Sequence, residues 1–213
     1  MKSAVARYTA KIDVYEDYTS HTWAGDGILG KALKDVGVGF TQAWPTFHGE
    51  SPFDMDYNDS VTGPDPSLWC YNAMTWHHVP PSEIRELAEF EDRWNVEHSA
   101  LLRHSDVFRH LVMPKLRSHL DDWDNLSSDK ESSDTLQGCR SACEKQPNCF
   151  QFSFRNHTQT CKTSSVVKLG RQQKQRDGDA IEEHITSGWI IDRVEAFAAE
   201  MDTYCHGNGW VIT

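Results

Sequence analysis

CRSACEKQPNCFQFSFRNHTQTC, residues 139–161, gathers four of the six cysteines into one short stretch. Cys139 and Cys143 sit one helical turn apart and share a face if the segment is helical. Cys149 and Cys161 follow in stretches that read as strands, the first in NCFQFSF. Two bridges tying a short helix to a strand would staple a unit too small to hold a generous core. Zinc is the rival reading, since structural zinc sites use C-x₂₋₄-C pairs matched by later Cys or His. Cys139–Cys143 fits that pattern loosely, but Cys149 and Cys161 form no second pair, so the spacing favours disulfides. Cys70 and Cys205 remain. An even cysteine count makes a long-range bridge between them the simplest pairing, with two buried free thiols as the alternative.

On either side of this stretch the pattern changes. Residues 121–136, DDWDNLSSDKESSDTL, are rich in Ser and Asp and poor in apolar residues, which predicts a linker and domain boundary. Downstream, the Lys/Gln/Arg-rich run 171–178 reads as a solvated loop. SGWIIDRV reads as a short strand and Glu195–Tyr204 as a helix. Upstream, residues 1–20 carry helical spacing. In WAGDGILGKALKDVGV, Ile28, Leu29, Ala32, Leu33 and Val36 form a second helical stripe, with Gly37 as its stop. Val38–Trp44 reads as extended. Residues 47–68 are rich in Gly, Pro, Asp and Ser and read as a long loop. Residues 69–79, WCYNAMTWHHV, read as a β-strand by aromatic and β-branched content. Pro80-Pro81-Ser82 opens an amphipathic helix through Ile84, Leu87, Ala88 and Trp94, and a weaker helical region runs to Pro114.

A net charge of −11 disfavours nucleic acid, whose phosphates need Lys and Arg, and a polybasic membrane-surface role. No run is long enough to span a bilayer. The six cysteines, with sequons at Asn58, Asn125 and Asn156, point to a lumenal or extracellular setting. MKSAVARYTAKIDVYEDY shows no signal peptide, so the expectation is an incomplete chain.

The chemical candidates are few. Asp26 lies between glycines at the start of a helix, where a carboxylate suits the macrodipole. It is either a capping residue or a general base. His77 and His78 are adjacent on the expected strand, so their side chains should point to opposite faces and at most one should bind an ion. Asp54-Met55-Asp56 is a D-x-D of the kind that holds a hard cation, but it lies in a polar loop and reads as a decoy.

WAGDGILGKALKDVGV, with its Asp26-Gly27-Ile28-Leu29-Gly30 core, resembles the corresponding helix of Fringe-like, family 31 glycosyltransferases. FHGESPF followed by WCYNAMTWHHVPPSEIRELAEFE resembles that family's C-terminal strand, nearest to fungal members and to core 1 β1,3-galactosyltransferase. There the strand ends in aromatic-His-x-Val, here Trp76-His77-His78-Val79. The tail CRSACEKQPNCFQFSF…CKTS…LG…SGWIIDRV resembles the PAN/Apple-like module appended to fungal members.

This resemblance implies an α/β fold: the C-terminal part of a GT-A-type nucleotide-sugar transferase domain over residues 1–120, a linker at 121–136, and a small disulfide-bonded α+β PAN/Apple-like module over 137–213. In that module Cys139–Cys161 and Cys143–Cys149 would be nested bridges, with Cys70–Cys205 tying it to the transferase part. The implied reaction moves a sugar, galactose, from a UDP-sugar to a glycan or glycoprotein acceptor in β1,3 linkage with inversion. Asp26 would be the catalytic base, His77 a ligand of Mn²⁺, and Trp69, Tyr71 and Trp76 neighbours of the acceptor. The family's metal-binding D-x-D and membrane anchor lie upstream of the matching region. The family setting is the Golgi lumen, as type II membrane proteins. The alternative is a non-catalytic secreted PAN-like binding module on a degenerate transferase fragment.

Overall fold

The helical stripe through Ala32 and Val36 forms a helix that ends where Gly37 adopts φ +79°, a left-handed turn that glycine enters without steric cost. The computed structural model describes residues 12–22, 24–39, 43–63, 65–173, 184–207 and 209–210. It divides into two compact units, Met1–Gln42 with Thr213, and Ala43–Ile212. The first unit holds α1 (Ile12–His21) and α2 (Gly25–Asp35). Tyr15 of α1 is buried, and its hydroxyl donates to Asp35 Oδ2 at 3.2 Å. Much of the stretch expected to be extended, residues 40–42, lies outside the described residues.

The second unit begins with β1 (Phe47–His48), which pairs in parallel with β2 (Thr75–Trp76). Between them, the loop 47–68 is not a solvated excursion. Phe53, Met55 and Tyr57 are buried, and the Tyr57 hydroxyl donates to Pro52 O at 2.8 Å. The strand expected over 69–79 is instead a 3₁₀ turn, Leu68–Cys70, followed by the two residues of β2. Leu68, Trp69, Cys70 and Tyr71 are all buried. A short run hidden on every side carries no periodicity that separates strand from turn. Ser67 Oγ accepts from Trp69 N at 3.2 Å and fixes the turn.

α3 (Pro81–Glu97) follows with Pro at its first position. It buries Glu83, Leu87, Phe90 and Trp94 along one face. α4 (His104–Val107) continues through a π turn, Phe108–Val112, and a 3₁₀ turn, Met113–Lys115. Val107, Phe108, Leu111 and Val112 enter the main core.

Residues 121–136 are not a linker. They take part in β3 (Leu120–Asp121), β4 (Trp123–Asp124) and β5 (Asp129–Glu131). These lead into α5 (Leu136–Lys145), β6 (Gln151–Arg155), β7 (Thr160–Ser164), β8 (Arg171–Gln172), β9 (Ile185–Trp189) and α6 (Ile191–Asp202). Five strands form one antiparallel sheet in the order β3-β9-β6-β7-β5. The acidic segment therefore supplies both edges of the sheet. Charged, short edge strands block pairing with other chains, and that composition imitates a linker.

Alternation along β6 sorts two cores. Phe152 and Phe154 pack with the four clustered cysteines under α5. Gln151, fully buried, joins the rest of the module on the other face. Its Nε2 donates to Asn125 O at 2.6 Å, and its Oε1 accepts from Lys168 N at 2.8 Å and Trp189 Nε1 at 3.1 Å. Cys139–Cys161, Cys143–Cys149 and Cys70–Cys205 are bridged, the pairing expected from the sequence. No GT-A sheet is present among the described residues. The parallel pairing there is confined to β1 and β2, and the second unit is an α+β arrangement.

Arg193 closes the C-terminal end of α5. Its Nη1 donates to Gln146 O at 2.6 Å, Cys149 O at 2.8 Å and Cys143 O at 3.2 Å, and its Nη2 to Glu144 O at 2.7 Å. A cation suits carbonyls left over at a helix end. Arg193→Ala is expected to lower unfolding free energy by about 2 kcal/mol, the scale of hydrogen bonds to a charged group. Chemical denaturation with the disulfides intact measures it, and an unchanged midpoint would mean that water replaces the guanidinium at no cost.

Candidate functional site

Asp26 is exposed in the first turn of α2, where Ala24 occupies the N-cap position. It is therefore a first-turn carboxylate rather than the cap itself. Its Oδ1 accepts from Gly27 N at 2.8 Å. His77 belongs to the other unit. It is exposed just past β2, and its backbone N–H donates to His48 O at 2.9 Å. His78 has φ 51°. The left-handed turn breaks strand alternation, and the two imidazoles lie with centroids 4.4 Å apart at 82° instead of on opposite faces. Among the described residues no group of three or more His, Cys, Asp or Glu side chains is arranged to hold a metal ion.

The expected acceptor-side aromatics are mostly interior. Trp69 and Tyr71 are buried to 0% and 1% exposure, so neither offers a face to a sugar. Trp69 Nε1 donates to Asp202 Oδ1 at 2.8 Å. Trp76 is half-buried against the core. Each D-x-D carboxylate is engaged through one oxygen. Asp54 Oδ2 pairs with Arg171 Nη1 at 2.5 Å, and Asp56 Oδ1 accepts from Asn58 N at 2.8 Å, an Asx turn. Burial pushes the Asp54 carboxyl above the usual range, against the pull of Arg171.

Arg171 opens onto a cleft of about 710 Å³. One wall comes from α3, through Ser82, Glu83 and Glu86, with Phe53 and Lys115 beside it. The opposite wall is Trp123, Leu169, Gly170 and the strand β8 with Gln173. Its charged groups are held in place. Arg171 Nε donates to Glu83 Oε1 at 2.7 Å, Glu83 Oε2 accepts from Ser51 Oγ at 2.5 Å, and Lys115 pairs with Glu86. Two carboxylates raise the Arg171 pKa, outweighing its desolvation. Trp123 Nε1 donates to Leu169 O at 2.6 Å, which sets the indole. Gly170 has φ +69°, and a Cβ there would meet Asp124 O at 1.9 Å, so only glycine lets the two segments approach.

This cleft was not read from the sequence. Arg171 falls at the start of a run that reads as a solvated loop, and Trp123 in the segment that reads as a linker. One signal was available: Glu83 precedes Leu87, Phe90 and Trp94 at helical spacing, and a carboxylate on an apolar stripe calls for a buried partner.

Residues 121–181 match the PAN domain family. The PAN domain is a binding module, and the match begins where a linker was expected and ends beyond β8. It therefore contains the Trp123 and Arg171 wall of the cleft. No curated protein and no solved structure matches the chain. Among the described residues no helix is long and apolar enough to cross a membrane.

The three sequons fare differently. Asn58 is exposed, and Asn156 is exposed in the turn between β6 and β7. Asn125 is 0% exposed. Its Nδ2 donates to Phe152 O at 3.0 Å, and its Oδ1 accepts from Ser127 Oγ at 2.8 Å. A glycan on Nδ2 would displace it from Phe152 O, so Asn125 is a structural residue rather than the glycosylation site its sequon suggests. Glycopeptide mass spectrometry of folded protein from a eukaryotic secretory host should find glycan at Asn58 and Asn156 and none at Asn125. Occupied Asn125 in folded protein would contradict the placement.

Proposed function

We propose that this chain is a glycan-recognising protein of the secretory pathway or extracellular space, with the PAN domain forming one wall of the binding cleft. The cleft of about 710 Å³ carries the reading, being of the size of small-ligand sites. Its polar groups are pre-set by the Arg171–Glu83 and Lys115–Glu86 pairs, which lowers the entropy lost on binding. Trp123, half-buried, adds apolar surface, against which the C–H face of a sugar ring packs. The paired charges leave hydrogen-bonding groups of both signs, a match for hydroxyls rather than for a phosphate. Three disulfides and the absence of free cysteines among the described residues agree with an oxidising compartment.

A second reading is the inverting β1,3-glycosyltransferase, with a UDP-sugar as donor and a glycan or glycoprotein as acceptor. It is favoured by the exposure of Asp26, in the first unit, and separately of His77, in the second. In that reading Asp26 takes the proton from the acceptor hydroxyl. Mn²⁺ would serve as Lewis acid for the leaving diphosphate. His77 would be one of its ligands; manganese prefers oxygen donors, and among the described residues no group of three or more His, Cys, Asp or Glu side chains is arranged to supply the rest.

Calorimetric titration with a panel of neutral oligosaccharides, and separately with UDP and Mn²⁺, separates the readings. Cleft recognition predicts oligosaccharide binding that weakens at least about tenfold, or about 1.4 kcal/mol, in Glu86→Ala and in Gln173→Ala. No binding across the panel would remove the cleft reading. UDP binding, with sugar transfer lost in Asp26→Asn, would establish the second.

A further inference from the structure

Three buried polar atoms without a protein partner belong to residues that meet at the base of the β1–β2 pair: Thr46 Oγ1, Trp76 Nε1 and His104 Nδ1. Thr46 immediately precedes β1, and its carbonyl accepts from Met74 N at 2.9 Å. Trp76 ends β2, in register with His48. His104 begins α4, and its Nε2 lies 2.9 Å from Pro45 O, one residue before Thr46. The Trp76 and His104 rings stand edge to face at 6.4 Å, and His48 stands 5.8 Å from His104. Thr46 is 3% and His104 0% exposed.

Leaving a polar group buried and unpaired costs about 1–3 kcal/mol, so three on neighbouring residues call for a partner. The chemistry of each atom says what that partner is. A carbonyl accepts only, so His104 Nε2 carries the hydrogen and donates to Pro45 O. His104 Nδ1 is then a bare lone pair that needs a donor. Trp76 Nε1 is a donor only and needs an acceptor. Thr46 Oγ1 serves as either. A cation is repelled by the indole N–H, and an anion by the imidazole lone pair. The partner must be neutral, small, and both donor and acceptor.

We propose that Thr46, Trp76 and His104 form a binding site for one buried water molecule, which accepts from Trp76 Nε1–H and donates to His104 Nδ1. A buried water of this kind makes about three hydrogen bonds, the number available here. Burial lowers the His104 pKa to about 4, which keeps the imidazole neutral and its Nδ1 lone pair available at physiological pH. His48 Nδ1 accepts from Glu50 N at 3.1 Å, so that neighbour has its own partner. The water joins the start of β1, the end of β2 and the start of α4. The β1–β2 ladder is only two residues long on each side, and this bridge fixes the strand end from which His77 projects.

A high-resolution crystal structure of the whole chain tests the site. The expected result is one ordered oxygen within about 2.7–3.2 Å of both His104 Nδ1 and Trp76 Nε1. In solution, NMR should show the Nε2–H tautomer of His104 and a cross-peak between the Trp76 indole N–H and a slowly exchanging water. A direct protein partner for His104 Nδ1, a metal ion at this position, or an indole N–H with no water cross-peak would each overturn the proposal.

Discussion

Phe197 packs its ring against Trp69, Phe108 and Phe150, with centroids 5.8, 6.1 and 5.4 Å away. These four rings come from four separate parts of the chain: the 3₁₀ turn before β2, the π turn after α4, the segment leading into β6, and α6. Trp69 and Phe108 are themselves 5.2 Å apart, and Tyr57 closes on both. Aromatic pairs of this geometry contribute about 0.5–1.5 kcal/mol each beyond the area they bury. The cluster is sealed by Cys70–Cys205 and by Asp202, which accepts from Trp69 and pairs with Arg109. The consequence is that residues 43–119 and the PAN sheet share one core instead of being joined by a tether.

That shared core gives the cleft its shape. Glu83 reaches Arg171 because α3 and β8 are fixed against the same interior, through Phe53 on one side and Leu169 on the other. Leu169 N and Gly170 N both donate to Phe53 O at 2.9 Å. The ion pairs at the cleft are thus supported by backbone contacts, which is why they hold side chains in place rather than serving as loose surface pairs of small worth. The PAN module brings its own rigidity from Gln151 and the two nested disulfides. Gln151 is a buried amide whose donor and acceptor sides are both satisfied, the condition under which a buried polar group specifies structure.

What the sequence disclosed follows from how local each signal is. The Cys139/Cys143 spacing, the Pro81 helix start and the Gly37 stop depend on neighbours within a turn or two, and each appears in the structure. The edges β3 and β5 were hidden because their stability comes from partners in β9 and β7, far along the chain, while their own composition is that of a loop. Trp69 and Tyr71 read as neighbours of the acceptor by their proximity in sequence to His77, because nothing local distinguishes an aromatic facing solvent from a buried one. Asn125 carries a sequon, yet its amide is used by Phe152 and Ser127. His78 left strand alternation through a positive φ that no pattern of hydrophobicity records. Apart from Glu83 on its apolar stripe, the cleft left no mark in the sequence for the same reason: Trp123, Arg171 and Glu83 are brought together only by the fold.

The central claim is that the PAN sheet does not stand alone, because Phe150, Trp189 and α6 require Trp69 and Phe108 to complete their core. The direct measurement is thermal unfolding, by near-UV circular dichroism, of oxidised residues 43–213 beside oxidised residues 120–213. The longer chain is expected to melt in one cooperative transition. The shorter is expected to show no cooperative transition or fixed aromatic signal, since it exposes Phe197 and leaves Cys205 without Cys70. A sharp transition and native near-UV spectrum for residues 120–213 alone would contradict the shared core and restore an independent module.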